Sequence, residues 1–237
     1  WHPQARLTAM PAWQEATADG LAEFTRLVAN AAGTDGKPDE DLEAASRLLQ
    51  GLPGEDMRPR LTAAAEALNR FDNRAGRKLV KLPDTRTMLV SELRLFSGWA
   101  EVDQDDLSTQ INQEPTGWPA SKKDIQVFYA AKARAHIALQ MLLAARSSDP
   151  DLAGDAGLRA ALDRAEAAWT RAARIRPLVV SNQKGDGAFM SNHLAALGFF
   201  LHDAETASQD LAALLEAPAE PAKEDVAQLD AGAALVQ

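Results

Sequence analysis

Residues 177–215 read PLVVSNQKGDGAFMSNHLAALGFFLHDAETASQDLAALL, and the spacing of their apolar positions points to an all-helical protein. Steps of four and three connect Met190, Leu194, Leu197, Leu201, Ala204, Ser208, Leu211 and Leu215. Side chains at that interval share one face of an α-helix, so the pattern predicts a long helix with a buried stripe. The preceding PLVVSNQKGDG carries Pro177, Gly185 and Gly187 and reads as the loop that delivers the chain to this helix.

Working back from that loop, partner helices follow. Asp155 is placed to cap a helix with Leu158, Leu162, Ala165, Trp169 and Ala172 on one stripe. Arg171, Arg174 and Arg176 fall in its last turns, where cations complement the negative helix end, and Pro177 closes it. Ser121 and Asp124 have the spacing of a capping box ahead of Ile125, Tyr129, Lys132, His136, Leu139 and Leu143, which step as an inward stripe. Asp149-Pro150 and Gly154 separate these two helices. The acidic, polar, proline-bounded stretch 101–119 reads as a long connection and divides the chain into halves, 1–119 and 120–216.

In the first half, residues 1–11 hold two prolines and read as a leading segment. A helix with Trp13, Leu21, Phe24, Leu27 and Val28 follows, weakened by about 1 kcal/mol at Gly20. Gly33 to Pro38 is a loop, and Asp39 caps a short helix that Gly51 and Pro53 end. Leu61, Ala65, Leu68, Ala75, Leu79 and Leu82 predict a helix from Pro59 to Pro83. Asp84 caps the next, which carries Met88, Leu89, Leu93 and Phe96 and ends near Gly98. Only Leu178-Val179-Val180 has strand character, and the Ala-, Pro- and acid-rich tail from residue 217 is expected to be poorly ordered, with a short helix at most over 226–236. The expected fold is a single all-α bundle of about six to eight helices around the long C-terminal one.

Composition narrows the function. A net charge of −9 opposes polyanion binding, so nucleic acid is not the expected partner. The absence of cysteine removes disulfides, thiolate nucleophiles and cysteine-held metals. No run approaches the roughly 18 to 20 apolar residues of a membrane span. The chain opens on Trp1 rather than Met, which suggests an upstream signal, anchor or trimmed segment.

Candidate chemistry is sparse. Neither Glu-x-x-His nor His-Glu-x-x-His occurs, so no metal or cofactor is expected; His202 and Glu205 share only an i, i+3 spacing. Gly-x-Ser-x-Gly and GxxxxGK[ST] are absent too. The densest polar cluster lies at 181–193. It reads either as a small-ligand or carboxylate site built from Asn182, Asp186, Asn192 and His193, or as a helix connection with capping residues. Lys132 and His136, one turn apart with Tyr129 before them, offer a lowered-pKa lysine or, alternatively, a snorkelling one. Arg70, Arg74, Arg77 and Lys81, with Lys78 beside them, form one basic stripe. It suits anionic lipid, an acidic partner or plain solvent.

The segments DIQVFYAAKARAHIALQMLLAA, ALDRAEAAWTRAARIRPLVVSNQKGDG and SNHLAALGFFLHDAETASQDL resemble a bacterial family catalogued as domain of unknown function 2333. Its members share an F-Y-x-A-type helix, an Ala-rich helix ending in proline, and a loop before an N-H-L-x-x-x-x-F-x-L helix. The likeness spans roughly residues 122–212 and rests on helix-packing positions. It implies an α-helical protein tethered by an N-terminal membrane helix, and it carries no catalytic residues over. AALDRAEAAWTRAARIRP also resembles the second helix of a tetratricopeptide repeat, but in a single copy, where a stack needs about three. From the family resemblance comes the expectation of a non-enzymatic interaction or structural module on the outer side of a bacterial inner membrane, with a protein partner in the envelope. The alternative is a small-molecule or anion binder, enzymatic or not, using the 181–193 loop with His136 and Lys132.

Overall fold

The computed structural model describes residues 3–51, 55–113, 120–177, 179–183 and 192–217, the side chains of 3–7, 151 and 153 excepted. These residues form seven α-helices and no strand: α1 (Pro3–Ala31), α2 (Glu40–Gln50), α3 (Met57–Gly76), α4 (Thr85–Asn112), α5 (Lys122–Ser148), α6 (Ala156–Arg174) and α7 (His193–Glu216), with a 3-10 turn at Pro150–Ala153. The tail over 218–237, its expected short helix, Met190 and Asp186 lie outside the described residues.

Packing runs from one side of the bundle to the other: α3 on α2, α2 on α1, α1 on α5, α5 on α4 and α6, and both of those on α7. The α4–α7 pairing is the most extensive. One core takes Leu89, Leu93, Phe96 and Leu107 from α4, Phe128 and Leu142 from α5, Trp169 from α6, and Leu194, Leu197, Leu201 and Leu211 from α7. Each such buried side chain contributes roughly 1.5–3 kcal/mol. From Leu194 onward the α7 stripe is buried as the spacing predicts, Ser208 included. That serine accepts the Trp169 indole N–H at 2.9 Å and donates to the Ala204 carbonyl at 2.8 Å, so the polar group at this core position is satisfied.

Several sequence expectations change. The leading segment over 1–11 is helical from Pro3. A proline at the first helical position loses only an N–H that has no acceptor there, and burial of Ala9, Ala16, Ala18 and Ala22 outweighs the bond lost at Pro11. Gly20 has a packing reason: a Cβ there would lie 2.7 Å from Ile137 Cδ1, so α1 passes close to α5 at this point.

The long connection expected over 101–119 is mostly helix, since α4 continues through Gly98 and Trp99 to Asn112. Ala100, Asp103, Leu107 and Gln110 recur at helical spacing and are all buried. Two of those four are polar, which hides the stripe from a hydrophobicity reading. In α5 the buried residues are Asp124, Val127, Phe128, Ala131, Ala133, Ala135, Ile137, Ala138, Leu139 and Leu142; of the expected stripe only Leu139 is among them, while His136 and Leu143 are exposed. A helix with neighbours on several sides has no single apolar face.

Helix α3 begins at Met57 under an Asp56 cap and stops at Gly76, short of Leu79 and Leu82. Its end is a Schellman motif: Leu79 N donates to Arg74 O and Lys78 N to Ala75 O, both at 2.9 Å, with Lys78 at φ 59°. The caps at Asp39, Asp84, Asp155 and the Ser121–Asp124 box form as expected.

Candidate functional site

The polar loop is built around Asn182, which is 4 % exposed. Its Nδ2 donates to the Gln110 carbonyl at 3.0 Å and to Asp124 Oδ1 at 3.3 Å, tying the loop to the end of α4 and the start of α5. Its Oδ1 accepts from Asn192 Nδ2 at 3.3 Å. Asn192 also donates to the Gln183 carbonyl at 2.9 Å, while its own Oδ1 caps α7 by accepting from Ala195 N at 3.0 Å. Both amides are thus engaged by backbone, by the Asp124 carboxylate and by each other.

His193 is held just as tightly. Its backbone N donates to Ser181 O at 3.1 Å, and its Nδ1 accepts from Ser181 N at 3.2 Å with Ser181 Oγ 3.0 Å away. A backbone N–H can only donate, so Nδ1 carries the lone pair and the proton sits on Nε2. Desolvation lowers the His193 pKa, which favours the same neutral ring.

Lys132 and His136 form a different group. The Lys132 ammonium lies 5.6 Å from the Trp13 ring centre and 5.9 Å from that of Tyr129, and the His136 ring lies 5.8 Å from Trp13. Burial lowers the Lys132 pKa, with Arg176 adding to it, and burial raises that of Tyr129. The described contacts therefore join Asn182, Asn192 and His193, and separately Lys132 and His136 around Trp13.

The basic stripe splits. Arg70 Nε lies 2.8 Å from Asp41, and Arg74 pairs with both Asp39 and Asp41 at 2.8 and 2.9 Å, so these two arginines clamp α3 to α2. Arg77, Lys78 and Lys81 are exposed and pair with no carboxylate among the described residues.

Other features gather elsewhere. A hollow of about 950 Å³ lies between α2 and α3, lined by Arg47, Leu48, Glu55 and Arg60 among others. A groove of about 340 Å³ runs between α4 and α7 beside Ser97, Glu101 and Gln209. Among the described loop residues, Asn182, Asn192 and His193 line neither. Among the described residues no group of three or more His, Asp or Glu side chains could hold a metal ion. His202 faces Glu205 at 3.9 Å, and Gln104 donates to that carboxylate at 2.8 Å.

Sequence reasoning missed three buried or half-buried polar features. Arg134 reaches across to Asp103; Trp99 Nε1 donates to Glu23 Oε2 at 2.6 Å; Glu92 is buried on α4. The first two join residues distant in the chain and leave no local pattern. The third shows only as an acidic residue at an inward helical position, one step before Leu93.

Compared with family models, curated proteins and solved structures, the chain has no significant match.

Proposed function

We propose that the chain is a non-enzymatic interaction or structural module of the bacterial envelope, tethered at the inner membrane and acting through a protein partner. The observation that supports the non-enzymatic part is the bonding of the described loop residues: Asn182 and Asn192 commit their amides to the Gln110 and Gln183 carbonyls, Asp124 and each other, and His193 Nδ1 is taken up by Ser181. A catalytic or ligand-holding cluster keeps donors and acceptors turned toward a shared space. Here they are turned inward to join the starts of α5 and α7 with the end of α4.

Placement at the membrane rests on the family resemblance of residues 122–212. No helix among the described residues is long and apolar enough to cross a bilayer, so the tether belongs to sequence outside them. The test is fractionation of cells making the full-length product, with protease added before and after the outer envelope is opened. Membrane association with cleavage only after opening is the expected result. A product found in the soluble cytoplasmic fraction overturns the placement and turns attention to ligand screening of the 181–193 loop.

A further inference from the structure

We propose that the connection between α3 and α4, residues 77–84, docks on an anionic lipid surface. Leu79 and Leu82 enter the headgroup layer, and Arg77, Lys78 and Lys81 engage lipid phosphates.

The connection combines two features that folding alone does not require. Leu79 is 69 % exposed and Leu82 56 %. A Schellman ending commonly folds its second residue beyond the cap back onto the helix, yet here that residue, Leu79, stands in solvent. Val80 between them turns inward and packs against the cluster of Ala29, Ala32, Leu42 and Phe71, which anchors the connection while the flanking leucines face out. Three cations surround the leucines, and all three lack a carboxylate partner among the described residues.

Their freedom contrasts with the carboxylates nearby. Asp39 and Asp41 are taken up by Arg74 and Arg70. Asp84 accepts from Thr87 N and Oγ1, both at 3.0 Å, and Glu216 pairs with Arg94. Arg86 Nε donates to Leu215 O at 2.8 Å, bringing the last turn of α7 and its exposed Leu214 to the same end of the bundle. A chain of net charge −9 therefore keeps an end where cations with no carboxylate partner among the described residues flank exposed leucines. Apolar side chains among cations are the chemistry of an interfacial lipid contact, in which each cation near an anionic leaflet strengthens binding roughly fivefold. The inference is independent of the tethered-module reading, since it concerns a surface rather than a span.

The experiment is sedimentation of the chain with phosphatidylcholine vesicles, with and without about one-third phosphatidylglycerol. Binding to the anionic vesicles alone, lost as salt rises to about 0.5 M, is the expected result. Lys78→Glu with Lys81→Glu lowers binding at least about a hundredfold. Leu79→Ser with Leu82→Ser lowers it about tenfold. All four side chains are exposed, so melting temperature serves as a folding control. Because the chain has no cysteine, Leu79→Cys carrying an environment-sensitive dye gives a second readout, a blue shift on anionic vesicles. Wild-type chain that stays in the supernatant, as it does if the connection serves an acidic protein instead, overturns the proposal. So does binding that the charge-reversed variant retains in full.

Discussion

The Arg134 guanidinium forks onto the Asp103 carboxylate, its Nε 3.1 and 3.0 Å from the two oxygens and its Nη2 closing a second contact. Asp103 is 1 % exposed, so this pair joins α4 to α5 without solvent screening its acidic member. Arg134 stays cationic: burial works against its charge, but Asp103, Glu23 and Asp106 raise its pKa. Removing one partner strands the other. Asp103→Ala is expected to cost about 3–5 kcal/mol in urea unfolding, while Asp103→Leu combined with Arg134→Met recovers most of that loss. A double variant no more stable than the single one contradicts the stranded-charge explanation.

Glu92 gives the fold a pH dependence of unusual sign. It is 8 % exposed on α4, and burial pushes its carboxyl up to about 7 from the ordinary 4.5. The folded state then holds this proton more tightly than the unfolded chain. Its contribution is most favourable below about pH 4.5, declines as pH rises toward 7, and levels off above, a change on the order of 3 kcal/mol. Glu92→Gln is expected to gain stability over wild type at about pH 8 and to show little gain at about pH 4.5. Urea midpoints at the two pH values measure this, and an equal gain at both counts against the burial argument.

Lys78 occupies the left-handed position where helix endings favour glycine, at φ 59°. Lys78→Gly should therefore stabilise the chain by up to about 1 kcal/mol. The same change removes one cation from the α3–α4 connection, so it should weaken vesicle binding roughly fivefold. Thermal melting and sedimentation of one variant read both effects. Gly36, at φ 73° in the Asp35-Gly36 turn, sets the opposite case, and Gly36→Ala should cost about 1 kcal/mol.

The sequence was most informative where one side of a helix meets one apolar surface. The stripe from Leu194 to Leu215, the caps and the all-helical class were legible because helical spacing and short-range capping are local. It was least informative where polar residues hold inward positions. Asp103 and Gln110 disguise the second half of α4 as a connection, and only the contact with Arg134 explains how an aspartate sits there. The α3 end was misplaced because Leu79 and Leu82 continue the apolar spacing past the helix, although neither is buried. At the polar loop, residue types drew attention to Asn182, Asn192 and His193, and the structure does bring them together. Whether such groups face a ligand or the backbone depends on Gln110 and Asp124, which lie 72 and 58 residues away along the chain.

The melting temperature of Asn182→Ala separates a side chain that holds the fold from one kept for a ligand. Asn182 unites the ends of three helices through buried bonds, so its loss should cost about 2 kcal/mol and lower the midpoint by roughly 4–8 °C. Residues kept for a ligand or a reaction are commonly neutral or destabilising to the fold they sit in. An Asn182→Ala chain that melts at the wild-type temperature or above it contradicts the structural role and restores the 181–193 loop as a binding site.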